Sequence, residues 1–358
     1  MNSTKSKNKE SFLNFSLNSE LIKSVKELGF NNPTPIQNKV IPHLMSSAQD
    51  LIASAQTGTG KTAAFGLPLL DLTNTKDTNV QTLILCPTRE LCIQITNDLL
   101  SYSKYLKNIN ILSVYGGVKI EKQIKALKKG PQIVVGTPGR TNDLIRRKKL
   151  FIGNIQRLIL DEADEMLSMG FKEDLETIIH ETPKKKQILL FSATMTPKVV
   201  AVTKKYMKNS LEISVARMNR AADNVEHIFY VVKPRDRYEV VKRIADMNPD
   251  IYGIVFCRTR RETKDIAIKL MNDHYNADTI HGDLSQSERD DVMRRFRKGQ
   301  LQILVATDVA ARGLDVEDLT HIINYNLPDD DEIYIHRSGE LVEQEKRVFQ
   351  LLLLTDET

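Results

Sequence analysis

The feature that most constrains the fold of this chain is a repeated order of short apolar runs, each followed by a helical stretch. Within a run, Val, Ile and Leu follow one another without alternating with polar residues. Such a strand has both faces buried, which is typical of a parallel sheet covered by helices. The runs of a first series are Leu51–Ala53, Thr82–Cys86, Ile133–Val135, Leu158–Leu160 and Ile188–Phe191. Those of a second series are His227–Val232, Gly253–Cys257, Ile303–Ala306 and His321–Tyr325.

A segment between the two series breaks this rhythm. Residues 211–225 include SVARMNRAADN, which continues neither pattern, and the 358 residues suit two domains of ordinary size. We therefore predict an α/β protein with two domains, residues 11–210 and 226–339, joined by a linker over 211–225. The first ten residues, MNSTKSKNKE, have nothing to bury and predict a disordered tail.

Composition limits the setting in which the chain works. A net charge of +5 is compatible with a polyanionic partner but does not establish one. Cys86, Cys92 and Cys257 are too few and too scattered for a disulfide framework or a zinc site, which indicates a reducing compartment. No apolar run approaches the roughly 18 residues of a membrane span. We therefore expect a cytoplasmic protein that has no contact with a membrane.

The polar residues of most interest directly follow the apolar runs. Ligands of open α/β sheets bind outside the carboxyl ends of the strands. The strings at those positions are AQTGTGKT, PTREL, GTPGR, DEAD and SAT in the first series, and CRTR and ATD in the second. The sequence therefore predicts ligand-binding edges on both sheets.

The string AQTGTGKT predicts a phosphate-binding loop. Its glycines allow main-chain N–H groups and the start of the next helix to face an anion. Lys61 is expected to reach the β- and γ-phosphates, and the Thr62 hydroxyl to hold Mg²⁺. The loop consists of Ala55, Gln56, Thr57, Gly58, Thr59, Gly60, Lys61 and Thr62. Ala55 stands where the pattern prefers glycine, and such a loop also occurs by chance, but the strand–loop–helix context favours a nucleotide site.

An acidic string supplies the expected partner of this loop. Asp161, Glu162, Ala163 and Asp164 directly follow the run that ends at Leu160. Asp161 would hold Mg²⁺ through water, and Glu162 would polarise the water that attacks the nucleotide. Acids also occur as simple helix N-caps, which would explain one of them but not the whole string. Together the two motifs predict nucleotide hydrolysis.

From about Phe12 to Gly339 the chain resembles the DEAD-box RNA helicases, and its motifs occur in that family's order. The resemblance implies two tandem RecA-like domains, each a mostly parallel sheet flanked by helices. It implies RNA-stimulated hydrolysis of ATP with Mg²⁺, coupled to local duplex opening or ribonucleoprotein remodelling. RNA would be bound through its backbone, independently of sequence, by a monomer.

Within the first domain the resemblance assigns roles to particular residues. The sequence GFNNPTPIQ, which ends at Gln37, resembles the Q motif. It implies that Phe12 stacks on adenine and Gln37 binds the edge of the base, with Phe30 in the same motif. Ser192 and Thr194 would couple hydrolysis to strand separation. The RNA-backbone contacts would be Pro87, Thr88, Arg89, Gly116, Gly117, Thr137, Pro138, Gly139 and Arg140.

Within the second domain the resemblance places Asp315 at the ATP ribose and His336 in the catalytic motif VI. The RNA contacts would be Arg258, Thr259, Gln286, Arg289, Thr307, Arg312 and Gly313. Threonine hydroxyls, glycine amides and arginines suit phosphates and 2′-hydroxyls rather than base edges. The basic clusters outside these motifs are interpreted as solvated helix faces and loop tips. They are Lys125–Lys129, Arg146–Lys149, Lys184–Lys186 and Arg294–Lys298.

The chain departs from the family after Gly339. Motif VI of the family reads HRxGRxGR, and its last two arginines face the γ-phosphate across the cleft between the domains. Here HRSG is followed by ELVEQEKRVFQLLLLTDET, so Glu340 and Glu343 stand in the arginine positions. We therefore expect an incomplete second domain, an aberrant tail over 340–358 and poor hydrolysis of bound ATP.

A shifted reading frame is our hypothesis for this tail. With codons chosen within the degeneracy of the code, one additional base before Glu340 lets the tail be read as RTGRAGKTGVSIAII. That reading restores both arginines, a glycine-rich turn and an apolar strand. Without it, we expect the second sheet to lack its closing strand and to be less stable. Alternatively, the run Phe349–Leu354 could still pair as a strand.

Two other functions stay open at this point. One is an RNA-binding clamp without useful turnover, which the absent arginines favour and which the retained Lys61, Asp161 and Glu162 oppose. The other is a P-loop ATPase that acts on DNA or protein, against which the Q-motif, DEAD and PTREL strings argue.

Overall fold

The computed structural model describes residues 11–55, 58–215, 225–311, 316, 318–328, 333–334, 337 and 348–354. The chain divides into two compact units, Met1–Arg217 and Met218–Thr358. Each unit contains one sheet in which every strand pairing of the described residues is parallel. The prediction of an α/β protein with two parallel sheets is confirmed.

The sheet of the first unit has seven strands in the order β3-β4-β2-β5-β6-β1-β7. They are β1 (Leu51–Ser54), β2 (Thr82–Leu85), β3 (Ile111–Val114), β4 (Ile133–Gly136), β5 (Arg157–Leu160), β6 (Gln187–Ser192) and β7 (Leu211–Ser214). The helices are α1 (Ser19–Glu27), α2 (Pro35–Ser46), α3 (Lys61–Asp71), α4 (Arg89–Tyr102), α5 (Ile120–Leu127), α6 (Pro138–Arg146), α7 (Ala163–Ser168), α8 (Lys172–Glu181) and α9 (Pro197–Tyr206). A short 3₁₀ helix, Phe12–Asn14, precedes them.

Burial on both faces explains why the apolar runs do not alternate with polar residues. Leu51 and Ala53 of β1 belong to one hydrophobic cluster, whereas Ile52 between them belongs to a second cluster on the other face. Successive side chains of a strand point to opposite faces, so each face of the sheet receives every second residue. Helices cover both faces and complete the two cores.

One part of the linker prediction is wrong. Leu211–Ser214 form β7, which pairs in parallel with β1 at the edge of the first sheet. Of its four side chains only that of Ile213 is buried, so the strand lacks the continuous apolar run by which the other strands were predicted. The first unit therefore extends into the segment that we assigned to the linker.

The sheet of the second unit has six strands in the order β10-β11-β9-β12-β13-β8. They are β8 (Val225–Val231), β9 (Gly253–Cys257), β10 (Ala277–Ile280), β11 (Ile303–Thr307), β12 (His321–Asn324) and β13 (Val348–Leu354). The helices are α10 (Arg237–Met247), α11 (Arg260–Asn272), α12 (Gln286–Arg297) and α13 (Asp308–Ala311), with a 3₁₀ turn at Pro234–Asp236.

The expectation that the second sheet lacks its closing strand is wrong. Strand β13 lies between β12 and β8 and pairs in parallel with both. The alternative, in which the run from Phe349 pairs as a strand, is confirmed. Leu351 and Leu353 are buried in the core of the second unit, so the apolar tail is incorporated into the fold.

None of the helices in the described part of the chain is long and apolar enough to cross a membrane.

Candidate nucleotide and RNA-backbone site

The strand order divides the carboxyl edge of the first sheet into two halves. The neighbouring strands β5, β6 and β1 lead into the DEAD string, the SAT string and the phosphate loop. The neighbouring strands β3, β4 and β2 lead into Gly116-Gly117, Thr137–Arg140 and Pro87–Arg89. Because parallel strands present their carboxyl ends on one side, the predicted nucleotide residues and the predicted RNA residues form adjacent groups along one edge.

Backbone geometry in the phosphate loop requires glycine. Gly58 and Gly60 have φ of 75° and 85°, in the left-handed region that other residues rarely adopt. A Cβ on Gly60 would lie 2.4 Å from Nε2 of Gln37, and this Nε2 donates to the Gly60 carbonyl at 3.1 Å. Helix α3 begins at Lys61, so its first N–H groups face the turn. Gln56 and Thr57 lie outside the described residues.

Gln37 ties the Q-motif segment to this loop. Its Oε1 accepts from the Thr34 backbone N–H at 2.9 Å, and Thr34 in return caps helix α2. A glutamine amide has two N–H groups and two acceptor lone pairs, so one donor and one acceptor stay available for a purine edge. The adenine contact of Gln37 stays a prediction.

Lys61 is the side chain whose surroundings best suit an anionic ligand. It is only 6% exposed, and its Nζ has no hydrogen-bond partner in the described part of the chain. A buried ammonium without such a partner is costly, and a phosphate oxygen would satisfy it. Thr62 follows in the first turn of α3, and its role in holding Mg²⁺ stays a prediction. Lys61 and the glycine turn therefore fit the phosphates of a nucleotide.

The first two acids of the DEAD string are held under constraint. Asp161 is 2% exposed, and this burial raises the pKa of its carboxyl, while the positive charge of Lys61 opposes the rise. Glu162 has φ 52° and ψ 54°, a left-handed conformation that is uncommon outside glycine and that clusters at functional sites. The two residues directly follow the end of β5, so their carboxylates lie on the nucleotide half of the edge.

Asp164 is a residue of the candidate site to which the sequence reasoning assigned no role. Its Oδ2 accepts both the backbone N–H and the hydroxyl of Thr194, each at 2.8 Å. Ser192 completes the link, because its Oγ accepts from the Asp164 N–H at 3.3 Å and donates to the Thr194 carbonyl at 2.7 Å. The signal was present in the sequence, since Asp164 is the fourth residue of the string. These bonds join the DEAD and SAT segments into one unit.

Phe12 is placed differently from what base stacking would require. Its ring is 4% exposed, packs edge-on against Phe15 and lies stacked at 6.3 Å from Phe30. The ring therefore presents little surface to a ligand in this structure. Its role in binding adenine stays a prediction.

The RNA half of the first edge is organised around Arg140. Its Nη1 donates to Oε1 of Gln123 at 2.9 Å, and its Nη2 donates to the Val118 carbonyl at 3.1 Å. Arg140 thus holds the loop that contains Gly116 and Gly117, two other predicted contacts. A side chain predicted to touch RNA has a structural role here as well.

The threonines of this half lie at helix N-termini, where N–H groups are available to anions. Thr88 follows Pro87 and caps α4, its Oγ1 accepting from the Leu91 N–H at 3.2 Å. Thr137 caps α6 without a side-chain bond to that helix, followed by Pro138 and Gly139. The guanidinium of Arg89 lies 4.9 Å from the centroid of the Tyr115 ring.

The second unit groups its predicted RNA residues in the same way. Arg258 and Thr259 follow β9, Gln286 and Arg289 lie on the helix after β10, and Thr307 ends β11. These are the neighbouring strands β10, β11 and β9 of the sheet. The predicted residues Arg312, Gly313, Asp315 and His336 lie outside the described residues.

Arg337 of motif VI is buried as a structural anchor. Its Nε and Nη2 donate to the two carboxylate oxygens of Asp308 at 2.6 and 2.8 Å. Its Nη1 donates to Oδ1 of Asn324 at 2.5 Å, and its guanidinium lies 4.7 Å from the Phe256 ring centroid. The sequence reasoning missed Asp308 and Asn324. Their signal is indirect, since a buried arginine requires a carboxylate partner.

These features define a class of protein: two parallel α/β sheets, one of them with a P-loop and a strand-end acidic pair suited to a nucleoside triphosphate and Mg²⁺. Comparison with protein families places the chain further. Residues 34–202 match the DEAD/DEAH box helicase model, and residues 236–341 match the helicase conserved C-terminal domain.

Similar proteins of known identity agree with these matches. The chain is 47% identical over 328 residues to the ATP-dependent RNA helicase CshA of Listeria monocytogenes, covering 92% of this chain and 63% of that one. It is 43% identical to the DEAD-box ATP-dependent RNA helicase CshA of Geobacillus kaustophilus, covering 92% and 70%. The chain thus spans a little under two thirds of the Listeria relative.

Solved structures show the same architecture. S. cerevisiae Dbp5 bound to RNA and ADP BeF3 has a TM-score of 0.87 at 30% identity, with 97% of this chain and 90% of that one covered. Mss116p bound to single-stranded RNA and AMP-PNP has a TM-score of 0.85 at 30% identity, with 95% and 73% covered. The chain belongs to the DEAD-box family of ATP-dependent RNA helicases.

Proposed function

We propose that this chain binds ATP and RNA and hydrolyses ATP in an RNA-stimulated reaction coupled to local duplex opening, with turnover limited by its altered motif VI. The observation that carries the proposal is the buried Lys61 ammonium, which has no hydrogen-bond partner among the described residues and lies beside a glycine turn and Asp161. Relatives whose names include ATP-dependent RNA helicase, and neighbours bound to RNA with nucleotide analogues, support it.

Each catalytic residue would have a separate role in binding or hydrolysing ATP. Lys61 would bind the β- and γ-phosphates, while Thr62 and, through water, Asp161 would hold Mg²⁺. The metal would neutralise charge on the phosphates. Glu162 would orient a water and accept its proton as the oxygen bonds to the γ-phosphorus and the bond to ADP breaks. Asp164 would hold the DEAD and SAT segments together, and Ser192 and Thr194 would couple hydrolysis to strand separation.

RNA would be bound through its sugar–phosphate backbone. The predicted contacts are helix N-termini, glycine loops, threonine hydroxyls and arginines, which read phosphates and 2′-hydroxyls without base specificity. We also propose a reducing, cytoplasmic location, since Cys86, Cys92 and Cys257 are all buried free thiols.

A second candidate function is binding of ATP and RNA without useful turnover. It is favoured by Glu340 and Glu343, which stand where the family has its two γ-phosphate arginines. An arginine that stabilises the transition state contributes about 10³–10⁵ in rate.

One experiment separates the two candidates. ATP affinity and steady-state hydrolysis are measured on the purified chain with RNA, with DNA of the same sequence and with no nucleic acid, and Lys61→Ala serves as the control. We expect ATP binding that Lys61→Ala abolishes, and weak hydrolysis that RNA stimulates more than DNA does. Binding with no hydrolysis above the Lys61→Ala level would establish the second candidate. Equal stimulation by DNA would contradict the preference for RNA.

A further inference from the structure

The amino-terminal edge of the first sheet, opposite the candidate site, is strongly basic. Three loops that enter neighbouring parts of this edge carry exposed cations: Lys128 and Lys129 before β4, Arg146, Lys148 and Lys149 before β5, and Lys184 and Lys185 before β6. These seven residues, together with Phe151, are called the amino-edge surface below. In the sequence the three groups are far apart and each suggests only a solvated loop tip.

The sheet brings the three groups together. Strands β4, β2, β5 and β6 are consecutive neighbours, and all run in the same direction. Neighbouring strands lie about 4.8 Å apart, so the entries to β4 and β6 are separated by only about 14 Å. Seven exposed cations are therefore carried by loops that enter the sheet within about 14 Å of one another.

Acidic side chains do not neutralise this surface. None of the seven cations forms a salt bridge with a described carboxylate. Asp143 pairs with Arg147 at 2.6 Å, and Asp77 accepts from the backbone and the side chain of Asn79. Glu181 is exposed near the same edge. The balance of charge therefore favours a polyanionic ligand.

The exposed ring of Phe151 favours a single-stranded nucleic acid over an acidic protein segment as the polyanion. Its side chain is 74% exposed, although its neighbours Leu150 and Ile152 are buried in the core. An exposed aromatic ring two residues after a lysine pair can serve as a stacking surface for an unpaired base. An acidic protein segment would match the charge but would have no particular use for such a stacking surface.

Helix α6 connects the two edges. Its first residues, Pro138–Arg140, belong to the predicted RNA half of the carboxyl edge, and its last residue is Arg146. A helix of nine residues is about 13 Å long. A strand of RNA that leaves the carboxyl edge beside α6 therefore needs to extend only about that far to reach the amino-edge surface.

We propose that the amino-edge surface is a second RNA-binding surface, which holds single-stranded RNA flanking the segment at the carboxyl edge through phosphate contacts and stacking on Phe151. The proposal rests on the proposed function only in taking RNA as the ligand. It predicts that affinity depends on RNA length, because a short oligonucleotide cannot occupy both edges.

The first test compares charge variants of the full chain. Lys148→Gln/Lys149→Gln/Lys184→Gln/Lys185→Gln is measured against Lys233→Gln/Arg243→Gln/Lys269→Gln/Lys298→Gln, which removes equal charge from exposed positions of the second unit. Binding of single-stranded RNAs of roughly 5 and roughly 40 nucleotides is followed, the shorter one being long enough for one binding site but too short to reach both edges. ATP affinity reports that the first unit is folded.

We expect the first variant to bind the long RNA at least tenfold more weakly while its affinity for the short RNA and for ATP is unchanged. For each phosphate that the variant no longer binds, the slope of log affinity against log salt should become shallower by about 0.7. The control variant should bind both RNAs as the unaltered chain does. Equal effects of the two variants on the long RNA would overturn the proposal, since only net charge would then matter.

The second test removes the ring. Phe151→Ala is compared with Phe229→Ala, another strongly exposed phenylalanine, on an edge strand of the second sheet. We expect Phe151→Ala alone to weaken binding of long single-stranded RNA about fivefold or more, with no effect on a duplex of the same length. If the unaltered chain bound the long RNA no more tightly than the short one, the surface would not bind RNA. Failure to bind either RNA would instead contradict the proposed function.

Discussion

Gly60 is a contact point between the phosphate loop and the Q-motif segment. Its carbonyl accepts from Gln37, and no side chain fits on its Cα without displacing that amide. We expect Gly60→Ala to lower ATP affinity at least tenfold, because the turn must open for the methyl group and the N–H groups of the loop then lose their common direction. Binding of a fluorescent ATP analogue measures this effect.

Gly170→Ala is the matched control. Gly170 has nearly the same φ, 86° against 85°, but open space where its Cβ would be. Both variants bear the cost of a left-handed alanine, about 1 kcal/mol of folding free energy. Only Gly60→Ala should weaken ATP binding. Similar decreases in both variants would mean that backbone strain, not the contact with Gln37, controls the site.

Arg337 forms an ion pair in which the guanidinium is buried, whereas the Asp308 side chain is 24% exposed. Removing the arginine therefore leaves a carboxylate that water can partly reach, and the cost is below that of a fully buried pair. We expect Arg337→Ala to destabilise the second unit by roughly 1.5–3 kcal/mol, the range for hydrogen bonds to charged groups. Hydrogen exchange of the amides of Ile322 and Ile323 on β12, both core positions, measures the destabilisation within that unit.

Arg260→Ala provides the comparison for an exposed pair. The Arg260–Asp283 salt bridge is 2.7 Å long, but both side chains are exposed to solvent, and exposed ion pairs contribute little to stability. Its exchange pattern should therefore match that of the unaltered chain. If Arg337→Ala also left hydrogen exchange unchanged, the paired hydrogen bonds from Arg337 to Asp308 would not stabilise the second unit.

At the scale of elements, the strands that the sequence predicted and the strands that it did not predict lie at different places in their sheets. The runs predicted in the first sheet became its inner strands, where both faces are buried. Apart from the tail strand β13, three strands were not predicted from an apolar run. They are β3, β7 and β10, and all three lie at sheet edges. Ala277–Ile280, for example, is buried only at its two ends. An edge strand has one neighbour and partial cover, so its composition need not be continuously apolar.

Strand β13 contains a polar residue that its position does not suit. Gln350 is fully buried, opposite Ile322 and His227 on the flanking strands, and neither atom of its amide has a hydrogen-bond partner in the described part of the chain. A buried amide left unsatisfied costs about 1–3 kcal/mol. The apolar residues of β13 therefore stabilise its place in the sheet, whereas the buried amide of Gln350 destabilises it.

We expect Gln350→Met to raise the free energy of unfolding by about 1–3 kcal/mol, because methionine has a similar volume and no unsatisfied amide. Urea unfolding followed by circular dichroism measures the change. Gln300→Met, at an exposed position, should leave stability within about 0.5 kcal/mol of the unaltered chain. A Gln350→Met chain no more stable than that control would show that the amide is satisfied in solution.

For the whole molecule, the sequence predicted the class of fold and the motifs, but not how the motifs are arranged. Chain order places the Pro87–Arg89 string between the phosphate loop and the DEAD string, whereas strand order puts it with the RNA half of the edge. Strand order depends on packing between distant segments, which periodicity does not encode. The bonds from Asp164 to Thr194 and from Arg337 to Asp308 were missed for the same reason.

The tail also matters at this scale, because it contains two separate anomalies. One is the buried Gln350, and the other is the pair of glutamates in the arginine positions of motif VI. In the shifted reading, the position of Gln350 is serine and the segment from Phe349 is VSIAII, so an apolar strand is retained with a smaller polar residue. One cause would then account for the absent arginines and for the buried amide. The frame hypothesis is favoured by this coincidence and stays a prediction.

Exchange of residues 340–354 for RTGRAGKTGVSIAII tests it on the protein. We expect RNA-stimulated hydrolysis to rise by about 10³–10⁵, the contribution of a transition-state arginine, with ATP affinity little changed. The matched control carries the same exchange with alanine in place of its first and fourth residues. That control should regain stability without regaining turnover, which separates repair of the strand from repair of the chemistry.

The complementary variant, Glu340→Arg/Glu343→Arg in the unaltered tail, asks whether the two side chains suffice without the glycine-rich turn. We expect a smaller gain in hydrolysis than the full exchange gives, because the segment that would aim the arginines keeps its own sequence. Near-normal RNA-stimulated turnover by the unaltered chain would refute the impairment outright. No gain from the full exchange would refute the shifted frame, since a restored motif VI would then not restore the reaction it serves.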